Sequence, residues 1–544
     1  MRFKLASLVA PGLLALSSLG LAGCPTPKPL PGGPPPVYET PRTIPGDSAA
    51  PADSAAADMG VDPPPFGEVS SLTRQIDSYM SGYGAKWGEA YAPSGVLAVA
   101  YNGKIVFTRA YGKADRKSGA QPDATTQFRI GSLTKMFTAA SIMKLVEKGS
   151  VKLDDPITKY VTELPDAYKD VTLTQLLHQT AGVASYTDDP SMLKRKGEEL
   201  PVAEMVGWMA KQPLAFKPGS SWAYSNSNYY LLGVVVERAS KSTLEAFMKT
   251  SIFEPAGMFN ASAKPGTGPV AKGYMIGPSD KLVDADLVNP SMPFGAGYLY
   301  ASVNDLVAWD KALEGTKVLS KESKAALFTV DNDKNYAMGW VVQKKGATEV
   351  EWHNGAIDGY GSYLGRAPSK HIAVVFLSNT FQFGATEVGQ DVMGMALGGP
   401  AVKPKEERDM VVMDLAYGTA IAGDYKLTPE SEKDARAKLP APVVDSVAGF
   451  TIAYDSGNLV ATPSGQSAVA LHRAKDGVLF NGAFGIDITP DFGGPEGAKP
   501  ATGFTVKQGA LTLSYTRGKY VPAPPAKDPK PASPPKATTP ASKK

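Results

Sequence analysis

Ser132-Leu133-Thr134-Lys135 sets a hydroxyl and an amine three residues apart, and on a helix that spacing brings both side chains to one face, within hydrogen-bonding reach. A serine in the first helical turn lies where unpaired backbone N–H groups and the helix dipole favour developing negative charge, which suits a nucleophile. Met136 and Phe137 follow Lys135, so burial is expected to disfavour its charged form and make it a better proton acceptor. Alone the pattern says little. Ser-x-x-Lys recurs at Ser141/Lys144, Ser191/Lys194 and Ser533/Lys536, and a capping serine beside a solvated lysine reads the same way.

Two further clusters carry chemical potential. Tyr224-Ser225-Asn226 follows the turn-forming stretch Phe216-Lys217-Pro218-Gly219-Ser220, which can lift it onto a loop. A phenol near a lysine can relay a proton, and an Asn amide can both donate to and accept from a substrate amide. His353-Asn354-Gly355-Ala356 ends a predicted strand and is followed by Gly359 and Gly361, so a substrate backbone could approach the strand edge. There the N–H of Ala356 could join that of Ser132 to hold an oxyanion. Each cluster by itself also fits an ordinary turn.

The elements that would position these residues are legible in outline. Val96–Tyr101, Asn102-Gly103 and Lys104–Tyr111 read as a type I′ hairpin that starts an antiparallel sheet. Helical periodicity over Ser132–Lys148, stopped by Gly149, marks a buried helix. Tyr229–Ala239 and Val303–Leu313 follow as helices, the latter opened by a Ser302/Asp305 capping box. Strands return at Glu349–His353, Tyr360–Arg366 and His371–Leu377, with Ala367–Lys370 as a turn. Strands at both ends with helices between predict an α/β domain over residues 67–399, an antiparallel sheet flanked by helices and carrying an inserted helical lobe. The short β-prone runs Gly449–Tyr454, Ala468–His472, Val478–Phe480 and Leu511–Tyr515 predict a separate small β domain over 405–520, where His472 alone suggests no ligand site.

Composition narrows the classes of function. The 544 residues are 43% hydrophobic, enough for two or three domains, and a formal charge of +3 is far from the basic surface that nucleic acid requires. Four scattered histidines (His178, His353, His371, His472) and one cysteine give no metal-ligand spacing and no internal disulfide; no cofactor is implied. Arg2 and Lys4 precede the apolar run Leu5–Leu21, which Pro11 interrupts and which is too short for a comfortable membrane span, so residues 1–23 read as a secretory signal. The run ends in Leu21-Ala22-Gly23-Cys24, which resembles the lipobox of bacterial lipoproteins and implies lipid attachment at Cys24; an ordinary signal peptide with a leftover thiol is the alternative. Residues 24–66 form a Pro-rich tether that cannot bury enough apolar area to fold. Residues 521–544 form a second disordered tail, whose five lysines against Asp528 could meet acidic cell-wall polymers or simply be solvated.

The order Ser-x-x-Lys, Tyr-x-Asn, His-x-Gly resembles the serine β-lactamase and penicillin-binding protein superfamily, in its class C-like branch of esterases, D-aminopeptidases and D,D-peptidases. Phe128-Arg129-Ile130-Gly131, Leu176-Leu177-His178-Gln179-Thr180-Ala181-Gly182 and Gly295-Ala296-Gly297-Tyr298 agree with it. The resemblance covers roughly 67–399 and implies a β-lactamase/transpeptidase-like fold. The C-terminal β domain is similar, more weakly, to the lipocalin-like appendage of some members. The resemblance further implies an exported, membrane-anchored hydrolase of the bacterial envelope, acting through an acyl-enzyme on a small ester, a D-amino-acid peptide or amide, or a β-lactam. Ser132 would be the nucleophile, Lys135 and Tyr224 would transfer protons, and Ser132 and Ala356 would supply the oxyanion N–H groups. Asn226, His353, Gly355 and Ala356 would meet the substrate. His353 stands where many β-lactamases carry the Lys of Lys-Thr-Gly, so weak β-lactam hydrolysis is expected, histidine being mostly neutral at pH 7. A non-catalytic binding lipoprotein of the same fold is the competing class.

Overall fold

A computed structural model describes residues 63–82, 92–276, 281–380, 384–402, 411, 415–439, 441–455, 458–463, 469–481, 486–493, 499–508 and 511–518. The signal segment, Cys24, nearly all of the tether and the lysine-bearing tail lie outside the described residues.

Distant parts of the chain close one antiparallel sheet, as the strand–helix–strand pattern requires. Its strands are β1 (Gly95–Tyr101), β2 (Lys104–Tyr111), β3 (Val341–Lys345), β4 (Thr348–Ile357), β5 (Tyr360–Ala367) and β6 (Ile372–Ser378), in the order β2-β1-β6-β5-β4-β3. The β1–β2 turn has φ of 53° at Asn102 and 67° at Gly103, the double positive φ of a type I′ turn. Strand β4 extends through Gly355 and Ala356, where the sequence suggested that it ended at His353.

Both faces of the sheet are covered, which is why β1 and β6 read as continuous apolar runs. Val96, Ala98 and Ala100 of β1, with Ala373, Val375 and Leu377 of β6, pack into the helical lobe. The alternate residues Leu97, Val99, Ile372, Val374 and Phe376 pack against helices α1 (Val69–Gly82) and α5 (Ala385–Ala396). The lobe holds α2 (Thr134–Glu147), α3 (Asn226–Ser240) and α4 (Val303–Glu314). Both hydrogen bonds of the Ser302/Asp305 capping box open α4.

The C-terminal β domain is a closed, antiparallel barrel of eight strands in chain order, β7 (Gly423–Leu427) pairing with β14 (Leu511–Arg517). The ring centroids of Tyr425 and Tyr515 lie 4.6 and 4.8 Å from that of Phe504 in its core. Three short helices, Leu415–Ile421, Pro429–Lys438 and Ala441–Val447, were not expected from the β-prone runs. A signal for the second was present: Thr428 caps Pro429 at N1, with acids in the first turn and bases in the last.

Candidate active site

The turn that carries Ser132 is fixed by the sheet. Gly131–Leu133 forms a single 3-10 turn leading into α2, so the helix proper begins at Thr134 rather than at Ser132. Gly131 has φ of 50°, and a Cβ on it would lie 2.8 Å from the nitrogen of Ala356; only glycine permits that approach. On the facing strand a side chain at Gly355 would collide with the carbonyl of Ile130 and the hydroxyl of Ser362. Ser362 Oγ donates to Ile130 O at 2.7 Å. These contacts bring the expected pair of backbone positions, Ser132 and Ala356, to neighbouring places at the edge of β4.

Ser132 is half-buried, whereas Lys135 is fully buried on α2 behind it. Lys135 Nζ lies 3.0 Å from Ser132 Oγ, 2.7 Å from Asn226 Oδ1 and 2.8 Å from the carbonyl oxygen of Ala296. The rings of Tyr224 and Tyr229 stand 4.9 and 5.7 Å from it. Among the described residues no carboxylate takes part in this shell. Desolvation therefore pushes the amine well below the usual lysine range, toward the neutral form. A neutral amine has two N–H donors and one lone pair. Two of its three polar neighbours, Asn226 Oδ1 and Ala296 O, are carbonyl oxygens that only accept, so the lone pair is left for the Ser132 hydroxyl proton.

Tyr224 comes from a loop and Asn226 from the first residue of α3, 91 residues along the chain from Lys135. The Tyr224 hydroxyl donates to Ser132 Oγ at 2.9 Å, and burial raises its pKa, keeping it a protonated phenol. The Leu176–Gly182 segment holds this loop: Gln179 Oε1 accepts from Ser225 N at 3.0 Å and Gln179 O from Ala223 N at 3.0 Å. Asn226 is engaged at both ends, its Nδ2 donating to Thr187 Oγ1 at 3.0 Å. It lies against Lys135 as much as in the cleft.

His353 is buried and faces inward. Its Nδ1 meets the carbonyl of Asn354, which can only accept, so that nitrogen carries the proton. Nε2, 3.1 Å from Tyr336 OH, is then the acceptor of the phenol proton. Burial, reinforced by the nearby Lys135, lowers its pKa to about 3. His353 is thus a neutral wedge between Tyr224 and Tyr336, with ring centroids 6.3 and 5.7 Å away.

The structure gathers all seven sequence-derived positions with described coordinates, Ser132, Lys135, Tyr224, Asn226, His353, Gly355 and Ala356, around the turn that carries Ser132. Sequence reasoning missed Tyr336, Thr187 and the carbonyl of Ala296. Only the last had a signal, in Gly295-Ala296-Gly297, where a side chain at Gly295 would press on the backbone of Tyr229, 2.6 Å from its oxygen. Among the described residues no group of His, Cys, Asp and Glu could hold a metal ion, and no helix is long and apolar enough to cross a membrane.

This arrangement can transfer a proton from a hydroxyl to a buried amine beside a second, phenolic donor. Comparison with known proteins gives the family. Residues 76–392, more than half of the chain, match the family model described as Beta-lactamase. PbpX of Bacillus subtilis, named as a penicillin-binding protein, is 30% identical over 295 residues, 53% of this chain and 70% of that protein. The octameric penicillin-binding protein homologue from Pyrococcus abyssi superposes with a TM-score of 0.53 at 21% identity, over 82% of this chain and 99% of its own. The D-amino acid amidase from Ochrobactrum anthropi SV3 does so with a TM-score of 0.51 at 22% identity, over 60% and 98%. At these identities the two structures speak to fold.

Proposed function

The chain belongs to the beta-lactamase family, and on that footing we propose that it is a serine hydrolase that cleaves a small ester or a D-amino-acid amide through an acyl-enzyme. The observation that carries the reading is the hydrogen-bond inventory of Lys135: two carbonyl acceptors and one hydroxyl around a desolvated amine.

In this mechanism the Lys135 lone pair takes the proton of Ser132 as Oγ attacks the substrate carbonyl carbon. The backbone N–H groups of Ser132 and Ala356 stabilise the oxyanion. Collapse of the tetrahedral intermediate breaks the bond to the leaving group, which takes a proton from the Tyr224 phenol. The phenolate is reprotonated from the Lys135 ammonium, which restores both groups. Water then repeats the sequence on the acyl-enzyme and releases the acid. Asn226 keeps Lys135 aimed while offering its amide to the substrate.

The family's spread of chemistry includes β-lactams, yet no fixed cation stands at His353 for a substrate carboxylate. We therefore rank ester and D-amino-acid amide cleavage above β-lactam hydrolysis. The sequence Leu21-Ala22-Gly23-Cys24 supports the further reading that the enzyme is exported and held at a bacterial envelope membrane by a lipid on Cys24.

A fluorophosphonate probe on the full chain tests the nucleophile: wild type should label and Ser132→Ala should not. Labelling that persists in Ser132→Ala would overturn the assignment. Efficient cephalosporin turnover, abolished by the same substitution, would overturn the ranking. Loss of fatty-acid incorporation in Cys24→Ala tests the anchor.

A further inference from the structure

The segment from Thr187 to Leu200 is tied to the surroundings of Ser132 through both of its ends. At one end Thr187 Oγ1 accepts from Asn226, the residue that touches Lys135. At the other, Lys196, whose side chain is 7% exposed, makes a close ion pair with Asp358 and a second, at 3.3 Å, with Asp286. Asp358 opens the two-residue β4–β5 turn, two residues beyond Ala356 in the chain. The same knot takes in a third segment: Asn289 N donates to Lys196 O at 2.7 Å, Leu200 N to Ser291 Oγ at 2.8 Å, and the buried Arg129 to Val288 O at 2.9 Å. The turn itself has little freedom. Gly359 has φ of 79°, and a Cβ there would lie 2.8 Å from the backbone of Gly273.

Resting on the hydrolase reading above, we infer that Lys196 is a specificity-determining residue: its clasp on Asp358 closes the end of the cleft beyond Ala356 and limits the length of the acyl group. The closed end must be the acyl end. A leaving group has to depart to solvent after the first step, whereas the acyl group stays on Ser132 until water arrives. A wall pinned by an ion pair whose lysine is buried tolerates the second and would obstruct the first. The substrate class this favours has a short acyl portion, such as a single amino acid or a small carboxylic acid, with an unrestricted leaving group.

The test uses the purified full chain and two series of nitrophenyl or alkyl esters, one lengthened from acetyl to octanoyl on the acyl side, the other lengthened on the alcohol side. Wild type should prefer acetyl in the first series and be nearly indifferent in the second. Lys196→Met and Asp358→Asn each open the clasp from a different partner, so one remains informative if the other does not fold. Either should raise the octanoyl-to-acetyl ratio of kcat/KM by at least about tenfold, while leaving the alcohol series unchanged. An unchanged ratio in a folded variant that still cleaves acetyl esters overturns this inference alone. A wild-type protein that neither labels at Ser132 nor cleaves any ester overturns the hydrolase reading and this inference with it.

Discussion

Lys135 and Arg366 are both buried cations in the layer between the sheet and the helical lobe, and their surroundings are opposite. Arg366 on β5 donates from Nε to Asp310 of α4 at 2.7 Å and from Nη1 to Glu351 of β4 at 2.6 Å, and all three side chains are under 8% exposed. Lys135 meets a hydroxyl, two carbonyl oxygens and two aromatic rings. Burial alone lowers the pKa of either group; two carboxylates reverse that for Arg366, whose pKa is raised, whereas nothing reverses it for Lys135. A buried cation given counter-charges becomes a structural tie between strand and helix. One denied them loses its proton more readily, as the proposed role of Lys135 requires.

Four measurements would break or sharpen this contrast. Replacing each cation by methionine should produce opposite phenotypes. Lys135→Met should reduce kcat/KM by about 10³- to 10⁴-fold while leaving thermal stability equal or higher, since it removes a desolvated amine without stranding a charge. Arg366→Met should do the reverse, costing about 3–5 kcal/mol in denaturant unfolding because two buried carboxylates lose their partner, while the folded fraction keeps its activity. A stability loss in the first or an activity loss alone in the second would dissolve the distinction. The third concerns His353, whose folded pKa of about 3 lies below its ordinary value near 6.5. Between those values the unfolded chain binds the extra proton, so acid favours unfolding, beginning near pH 6.5 and growing toward pH 3. His353→Gln should therefore lose up to roughly 3 kcal/mol less stability than wild type between pH 7 and pH 4, read by urea titration at each pH. The fourth supplies the missing counter-charge: Asn226→Asp places a carboxylate beside Lys135, and the rise of kcat/KM with pH should move upward by about one unit.

Much of this was legible where chemistry is encoded locally. Asn102-Gly103, the Ser302/Asp305 cap and the periodicity that buries Lys135 all depend on neighbours within a few residues. Their placements agree with expectation to within one or two positions. The convergence of Ser132, Tyr224 and His353 was legible only through the order of three motifs, because each alone also describes an ordinary turn. The rest depends on partners remote in sequence. Tyr336 meets a histidine 17 residues away with no spacing that marks it, and Lys196 meets Asp358 across 162 residues. Helix α1 and the three helices of the C-terminal domain were missed because proline-rich or β-prone surroundings dominate their windows, although Thr428-Pro429 carried a start signal.

The glycine contacts at Gly131 and Gly355, with the bond from Ser362, mean that Ser132 takes its coordinates from the central sheet and owes little to the segments around the cleft. An engineer can then rewrite the outer part of that segment: grafting a relative's counterpart of residues 188–200, with Thr187 and its bond to Asn226 kept, should retarget the proposed hydrolase without moving Ser132.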